Sequence, residues 1–126
     1  MKRALIALIV SVMLSALLIS MGTGSVNAYT RARLPEGEAA LTLLEQGDFA
    51  GGAAALSVML EKWPGDRKSL AVFVDHHQLD DIYLGMTSAY YSCGQHNADA
   101  VSQCATLVAL IRHLPDMNRL RIEVFL

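Results

Sequence analysis

The chain has 126 residues, 53% of them apolar and 17% charged, with a formal net charge of −2. That is one domain's worth of polypeptide and too little for a multidomain enzyme. All but Lys2 and Arg3 of the Lys and Arg residues follow residue 28, where 8 face 12 Asp and Glu, singly or in pairs and without aromatic interleaving, so there is no basic field for nucleic acid.

The chain opens with Lys2 and Arg3 and then a strongly apolar stretch of eighteen residues without a charge, 4–21. As a helix these reach ~27 Å, close to the ~30 Å hydrocarbon core of a bilayer. A cleaved signal peptide shares the basic start, and Val26-Asn27-Ala28 has the small-residue spacing of a cleavage site. Signal-peptide apolar regions usually run about 7–15 residues, so the length favours a retained anchor. A buried core helix is the remaining reading. Lys2, Arg3 and the α-amine outweigh Arg31 and Arg33 on the far side, which places the N-terminus in the cytoplasm and the rest of the chain outside. Both membrane readings therefore export the domain, either on a single-pass anchor at the cell membrane or secreted after cleavage near Ala28.

Gly22, Gly24, Ser25, Asn27 and Pro35 are turn-formers, which predicts a juxtamembrane linker over 29–35 between the anchor or signal segment, 1–28, and an exported domain, 36–126. Helix follows from Glu36 to Gln46 and breaks at Gly47. Asp48 caps a second helix to about Lys62, ended by Trp63-Pro64-Gly65. Phe49, Ala53, Leu56, Leu60 and Trp63 line its core face.

A third helix is predicted from about Asp66 to Cys93, ending at Gly94, and a fourth from the cap Asn97 to Leu114, stopped by Pro115. Val72, His76, Leu79, Tyr83, Met86, Tyr90 and Cys93 recur at spacings of three and four, as do Ala100, Cys104, Leu107, Ile111 and Leu114, so the two make an antiparallel pair across a three-residue loop. The implied register sets Tyr90 against Ala100, Met86 against Cys104, Tyr83 against Leu107, Leu79 against Ile111 and His76 against Leu114. A second stripe, Leu70, Phe73, Val74, Leu84 and Tyr91, makes the third helix central. From Arg119, Leu120, Ile122, Val124 and Leu126 alternate with Arg121, Glu123 and Phe125 as in an extended strand.

Cys93 and Cys104 lie in an exported domain, yet the register separates them by ~10 Å along the axis, beyond the about 7 Å that a bridge allows. They are expected as free buried thiols. Absence of Cys-x-x-Cys and of a glycine-rich phosphate loop leaves no cofactor signature.

The densest ionisable run is Asp75-His76-His77-Gln78-Leu79-Asp80-Asp81. His76 and Asp80 are four apart, close enough to share a hydrogen bond or an ion. His76 interrupts the apolar seam, and the register brings it level with His113. Asp75, His76, Asp80 and His113 thus form the candidate polar cluster. One reading is a metal- or ligand-binding site held by His76, Asp80 and His113; the other is an imidazole satisfied by a neighbouring carboxylate, with His113 favoured by its helix C-terminus. No nucleophile has an adjacent base.

Gly47-Asp48-Phe49, Trp63, Phe-Val-Asp-His-His-Gln-Leu-Asp-Asp-Ile at 73–82 and Leu-Ile-Arg-His-Leu-Pro at 110–115 resemble domain of unknown function 4363, small bacterial proteins with one N-terminal anchor. The resemblance covers most of the exported part. It implies that Asp75, His76, Asp80 and His113 are the family's recurring polar residues, and it implies no activity. The chain departs at its end, Val124-Phe125-Leu126, where such proteins close on Asn-Ile-Phe or similar. Leu43 to Phe49 also looks like a tetratricopeptide turn, but a single hairpin makes no array.

The sequence therefore predicts an all-α protein: an N-terminal membrane helix, then a small bundle of three to four antiparallel helices with an extended C-terminal tail. The expected role is that of a non-enzymatic cell-envelope interaction module without a cofactor, touching the membrane through 4–21 and a protein partner through the bundle surface or the tail.

Overall fold

The computed structural model describes residues 1–125 as four helices: α1 Lys2–Glu45, α2 Phe49–Leu70, α3 His76–Gly94 and α4 Asp99–Phe125. The all-α expectation holds, and among the described residues there is no strand. Two predicted caps form: Asp48 Oδ1 accepts from Gly51 N at 2.8 Å, and Asn97 Oδ1 from Asp99 N at 3.0 Å. Between α1 and α2, Gly47 takes φ +80° while its N–H reaches Leu44 O and that of Asp48 reaches Leu43 O. A side chain is strained in that left-handed conformation, which closes the orphan carbonyls of α1.

Three prolines, Pro35 read as a linker turn-former and Pro64 and Pro115 as stops, are inside helices: Pro35 in α1, Pro64 in α2 and Pro115 in α4. The linker expected at 29–35 is accordingly helix, continuous with both the apolar segment and the bundle. A helix-interior proline costs about 3 kcal/mol by removing an N–H and crowding the carbonyl four residues back. Pro35 and Pro64 face solvent, where water takes over the freed carbonyls. Around these prolines the helices bury Tyr29, Gly37, Trp63 and Leu114, at roughly 1.5–3 kcal/mol for each large apolar side chain. Packing outweighs the break.

The residues from Arg119 are likewise helix, not an extended tail; Leu126 lies outside the described residues. A lone strand would leave its backbone groups without partners, whereas a helix satisfies them internally. Leu120 and Val124, alternate positions in a strand, are also four apart and share a helix face. The added turns lie along α1: Pro115, Asn118, Arg119 and Glu123 wall a cleft of about 230 Å³ with Ile19, Thr23, Val26 and Asn27.

Contacts fix the directions of the helices. From α1 to α2, an added Cβ on Gly22 would lie 2.8 Å from Phe73, just past the end of α2; Arg33 bonds Asp66, Glu36 bonds Lys62, and Leu44 lies on Gly52. Rising numbers on α1 thus meet falling numbers on α2. The same holds for α1 and α4, where Gly37 meets Val108 and Cys104 while Val26 meets Pro115. At Gly52 the approach is so close that an added Cβ would collide with a Leu44 methyl, which explains a glycine that helix propensity disfavours.

The third helix departs most from expectation. It does not begin at Asp66: the chain turns at 71–75, and Asp75 caps α3 by accepting from His77 N at 3.3 Å. Leu70 at the end of α2 and Val74 in that turn are buried, which fixes the break. The core face of α3 is Leu79, Ile82, Met86, Ala89 and Cys93, whereas Val72 is 78% exposed and His76, Tyr83 and Tyr90 are exposed too. The α4 face holds as predicted, with Ala100, Cys104, Leu107, Ile111 and Leu114 all buried. The two helices are slid relative to the predicted register. Ser92 donates to Gln103 at 2.6 Å and Gly85 faces Leu107, where the prediction set Tyr83. The seam is chosen by contact with α2 as well as α4, which neither helix's own periodicity contains.

Cys93 and Cys104 are free thiols, both buried, and Cys104 Sγ donates to Gly37 O at 3.8 Å across the α1–α4 contact. Burial, with a smaller contribution from Cys93, pushes the Cys104 thiol up from its ordinary 9.0 to about 11. The fold thus favours the neutral thiol; its stabilisation is complete below pH 9.0 and disappears as pH rises towards about 11. Urea unfolding across that window should lose on the order of 2 kcal/mol, and Cys104→Ala should flatten the slope. An unchanged slope in that variant would show that another group titrates.

Candidate functional site

The predicted cluster is built on two helices. Asp75 is the α3 cap, His76 and Asp80 lie in the first two turns of α3, and His113 lies on α4 just before Pro115. All four are exposed. Among the described residues no three His, Cys, Asp or Glu side chains converge as a metal ion requires. Two facts undo the predicted convergence. The α2–α3 turn puts His76 at a helix start outside the seam, and the slid register aligns Gln78 with Met117, Nε2 to Sδ 3.6 Å. His113 lines a shallow groove with Thr106, Ala109, Leu110, Met117 and Leu120, all on its own helix. His76 therefore needs no buried partner, because water satisfies it. His76→Ala and His113→Ala should each shift stability by less than about 0.5 kcal/mol in thermal unfolding, the usual effect at exposed positions. A loss above ~1.5 kcal/mol would mean a contact the geometry lacks.

The polar residues that do converge are on α1 and α2, and no pattern in the sequence singles them out. Arg33 grips Asp66 with two bonds, Nε to Oδ2 at 2.7 Å and a second guanidinium nitrogen to Oδ1 at 3.2 Å. It also reaches Glu36 at 3.3 Å, whose Oε1 takes Lys62 at 2.9 Å, while Glu36 Oε2 is buried without a partner. The Arg33 and Asp66 side chains are only 16% and 18% exposed. The hydrogen bond to Asp66 holds the guanidinium more firmly protonated than usual. Burial first, and then the Asp66 charge, raises the Tyr29 hydroxyl well above its ordinary range.

Beside this network Trp63 is packed between two rings, with Tyr29 edge-on at 6.2 Å and Tyr83 stacked at 6.4 Å. α1, α2 and α3 are thus joined at one level. A small cleft of about 280 Å³ opens there, lined by Ser25, Tyr29, Arg33, Asp66 and Ser69 among others. Chemically this is a clamp. Both Asp66 oxygens are taken by Arg33 and the tyrosine is held protonated, so the group offers no free base. Arg33 and Asp66 are 33 residues apart in the chain, and no local spacing announces their pairing.

The outer face of α1 carries the largest feature. Residues 5–18 expose Leu5, Ile6, Leu8, Ile9 and Val10 at 48–61%, and Val12, Met13, Leu14, Leu17 and Leu18 similarly. This helix is long and apolar enough to cross a membrane, and none of its most apolar window is buried by the rest of the chain. A core helix would be covered. Burial begins at Gly22 and Val26, the latter 1% exposed.

Residues 26–124 match the family described as Domain of unknown function (DUF4363). No curated protein and no solved structure matches the chain.

Proposed function

The chain belongs to the family of domain of unknown function DUF4363, and from that premise we propose that it is a non-enzymatic cell-envelope module held in the membrane by its own first helix. The observation that carries this reading is the continuity of α1. Cleavage after Ala28 would remove Val26 from the core, take Gly22 from under Phe73 and strip the last turns of α4 of their neighbour. The stretch that directly follows the apolar segment, 22–28, is thus built into the domain, which favours retention over secretion. Lys2, Arg3 and the α-amine before the span outnumber Arg31 and Arg33 after it; this supports a cytoplasmic N-terminus and an exported bundle.

The module works by contact. The groove along α4 at Leu110, His113 and Met117, about 490 Å³ and walled largely by apolar surface, is the face offered to a protein partner. No reaction is assigned to Asp75, His76, Asp80 and His113, which serve as capping and solvated groups.

Membrane extraction with N-terminal mass determination and external proteolysis of intact cells tests the placement. The expected chain keeps residues 1–28, stays with the membrane at alkaline pH, and loses its bundle to protease. A soluble chain beginning at Tyr29, or a bundle protected in intact cells, would overturn it.

A further inference from the structure

The end of the bundle that adjoins the anchor carries apolar side chains with no protein neighbour. Leu120 is 60%, Val124 81% and Val72 78% exposed. Their level along α1 follows from the contacts. On α4, Glu123 shares a cleft with Ile19 and Arg119 with Thr23, which sets Leu120 near Gly22 and Val124 near Leu18. In the α2–α3 turn, Phe73 lies against Gly22, which brings Val72 to the same height. That height is the end of the strongly apolar run, 4–21.

We infer that this end of the bundle rests on the bilayer, with Val124 at the edge of the hydrocarbon, Leu120 and Val72 among the headgroups, and Lys68, Arg119 and Arg121 on lipid phosphates. The inference rests on the anchoring reading above and deepens it. Three arguments select lipid as the occupant. Two elements distant in sequence, the 71–75 turn and the end of α4, expose their apolar residues at one level, and that level coincides with the end of the span. Headgroups extend ~5–7 Å beyond the hydrocarbon on each side, within reach of these side chains. Arg119 and Arg121, both exposed, flank Leu120 in the chain, and Lys68 is exposed on the last turn of α2; long basic side chains reach the phosphates while their stems cover apolar surface. The nearby acids are accommodated: Asp116 is held by Arg119 at 3.1 Å, Glu123 lines the cleft against α1, and Asp75 caps α3.

The test is nitroxide depth measurement on the full-length chain in vesicles of phosphatidylcholine and phosphatidylglycerol, with single labels at Val10→Cys, Val72→Cys, Val124→Cys and Ala98→Cys. The native Cys93 and Cys104 are replaced by alanine, and helicity is checked. Oxygen should reach labels 10, 72 and 124 in preference to a water-soluble nickel chelate, with 124 at about 5–10 Å below the headgroup surface, and the chelate should reach label 98. Labels 72 and 124 behaving like 98 while 10 stays in lipid would overturn the inference and leave the anchor standing. Label 10 in water would overturn both. Labels 72 and 124 shielded from both reagents, with spin–spin broadening, would assign the surface to a second copy instead. Brominated-lipid quenching of Val124→Trp in the native-cysteine chain, above the baseline of buried Trp63, measures the same contact without the cysteine replacements, and quenching no greater than that baseline would count against it.

Discussion

Trp63→Ala is expected to destabilise the bundle by about 3–5 kcal/mol, the usual cost of emptying a buried tryptophan site. The residue is 4% exposed and touches rings from two other helices. Each ring pair adds ~0.5–1.5 kcal/mol beyond burial, and the cavity cannot collapse without moving α1 and α3 together. Trp63→Phe keeps a ring and should cost roughly half as much. Urea unfolding followed by far-ultraviolet helicity measures both, since the variants lack the only tryptophan. A loss under ~1 kcal/mol for Trp63→Ala would contradict the three-helix contact, because only a peripheral ring is so cheaply removed.

The second large effect belongs to the Arg33–Asp66 clamp. Asp66→Ala leaves a guanidinium that is 16% exposed facing a void, and breaking a largely buried pair on one side costs about 3–5 kcal/mol, less here for the remaining solvent access. Arg33→Met with Asp66→Leu removes both charges and fills the space, so it should recover most of that loss. The cycle should therefore show a coupling of about 2 kcal/mol. If the double variant were as unstable as Asp66→Ala alone, the damage would lie in packing and not in the orphaned charge. Glu36, with one oxygen on Arg33 and Lys62 and the other buried without a partner, makes a clean removal of Arg33 alone harder than that of Asp66.

What the sequence disclosed was local. Asp48 and Asn97 as caps, Gly47 as a break, the α4 stripe and the uncharged run are each properties of neighbouring residues, and each is found in place. What it concealed depended on distant partners. Pro35, Pro64 and Pro115 end helices when nothing holds the turns around them; here Tyr29, Trp63 and Leu114 are held by other elements. His76 reads as an interruption in a seam drawn through Tyr83 and Tyr90, whereas the buried face of α3 runs through Ile82 and Ala89 and leaves His76 outside it. The members of the candidate cluster are set apart for the same reason: their convergence rests on a register that α2 and α4 together displace. The Arg33–Asp66 pair is invisible because it spans 33 residues and a hairpin.

Since α1 is a single helix of 44 residues, about 66 Å long at 1.5 Å per residue, the protein has no swivel between its foot and its head. The part of α1 beyond Met21 stands about 36 Å tall by the same rise. On the anchoring proposed above, the Phe49–His96 edge contact at 5.4 Å, which closes the far end, would be carried at a set height above the lipid. Such a pillar would not search the space around it on a tether. A partner would have to arrive at that height, and any tilt or rotation of the span would be delivered undiminished to the far end.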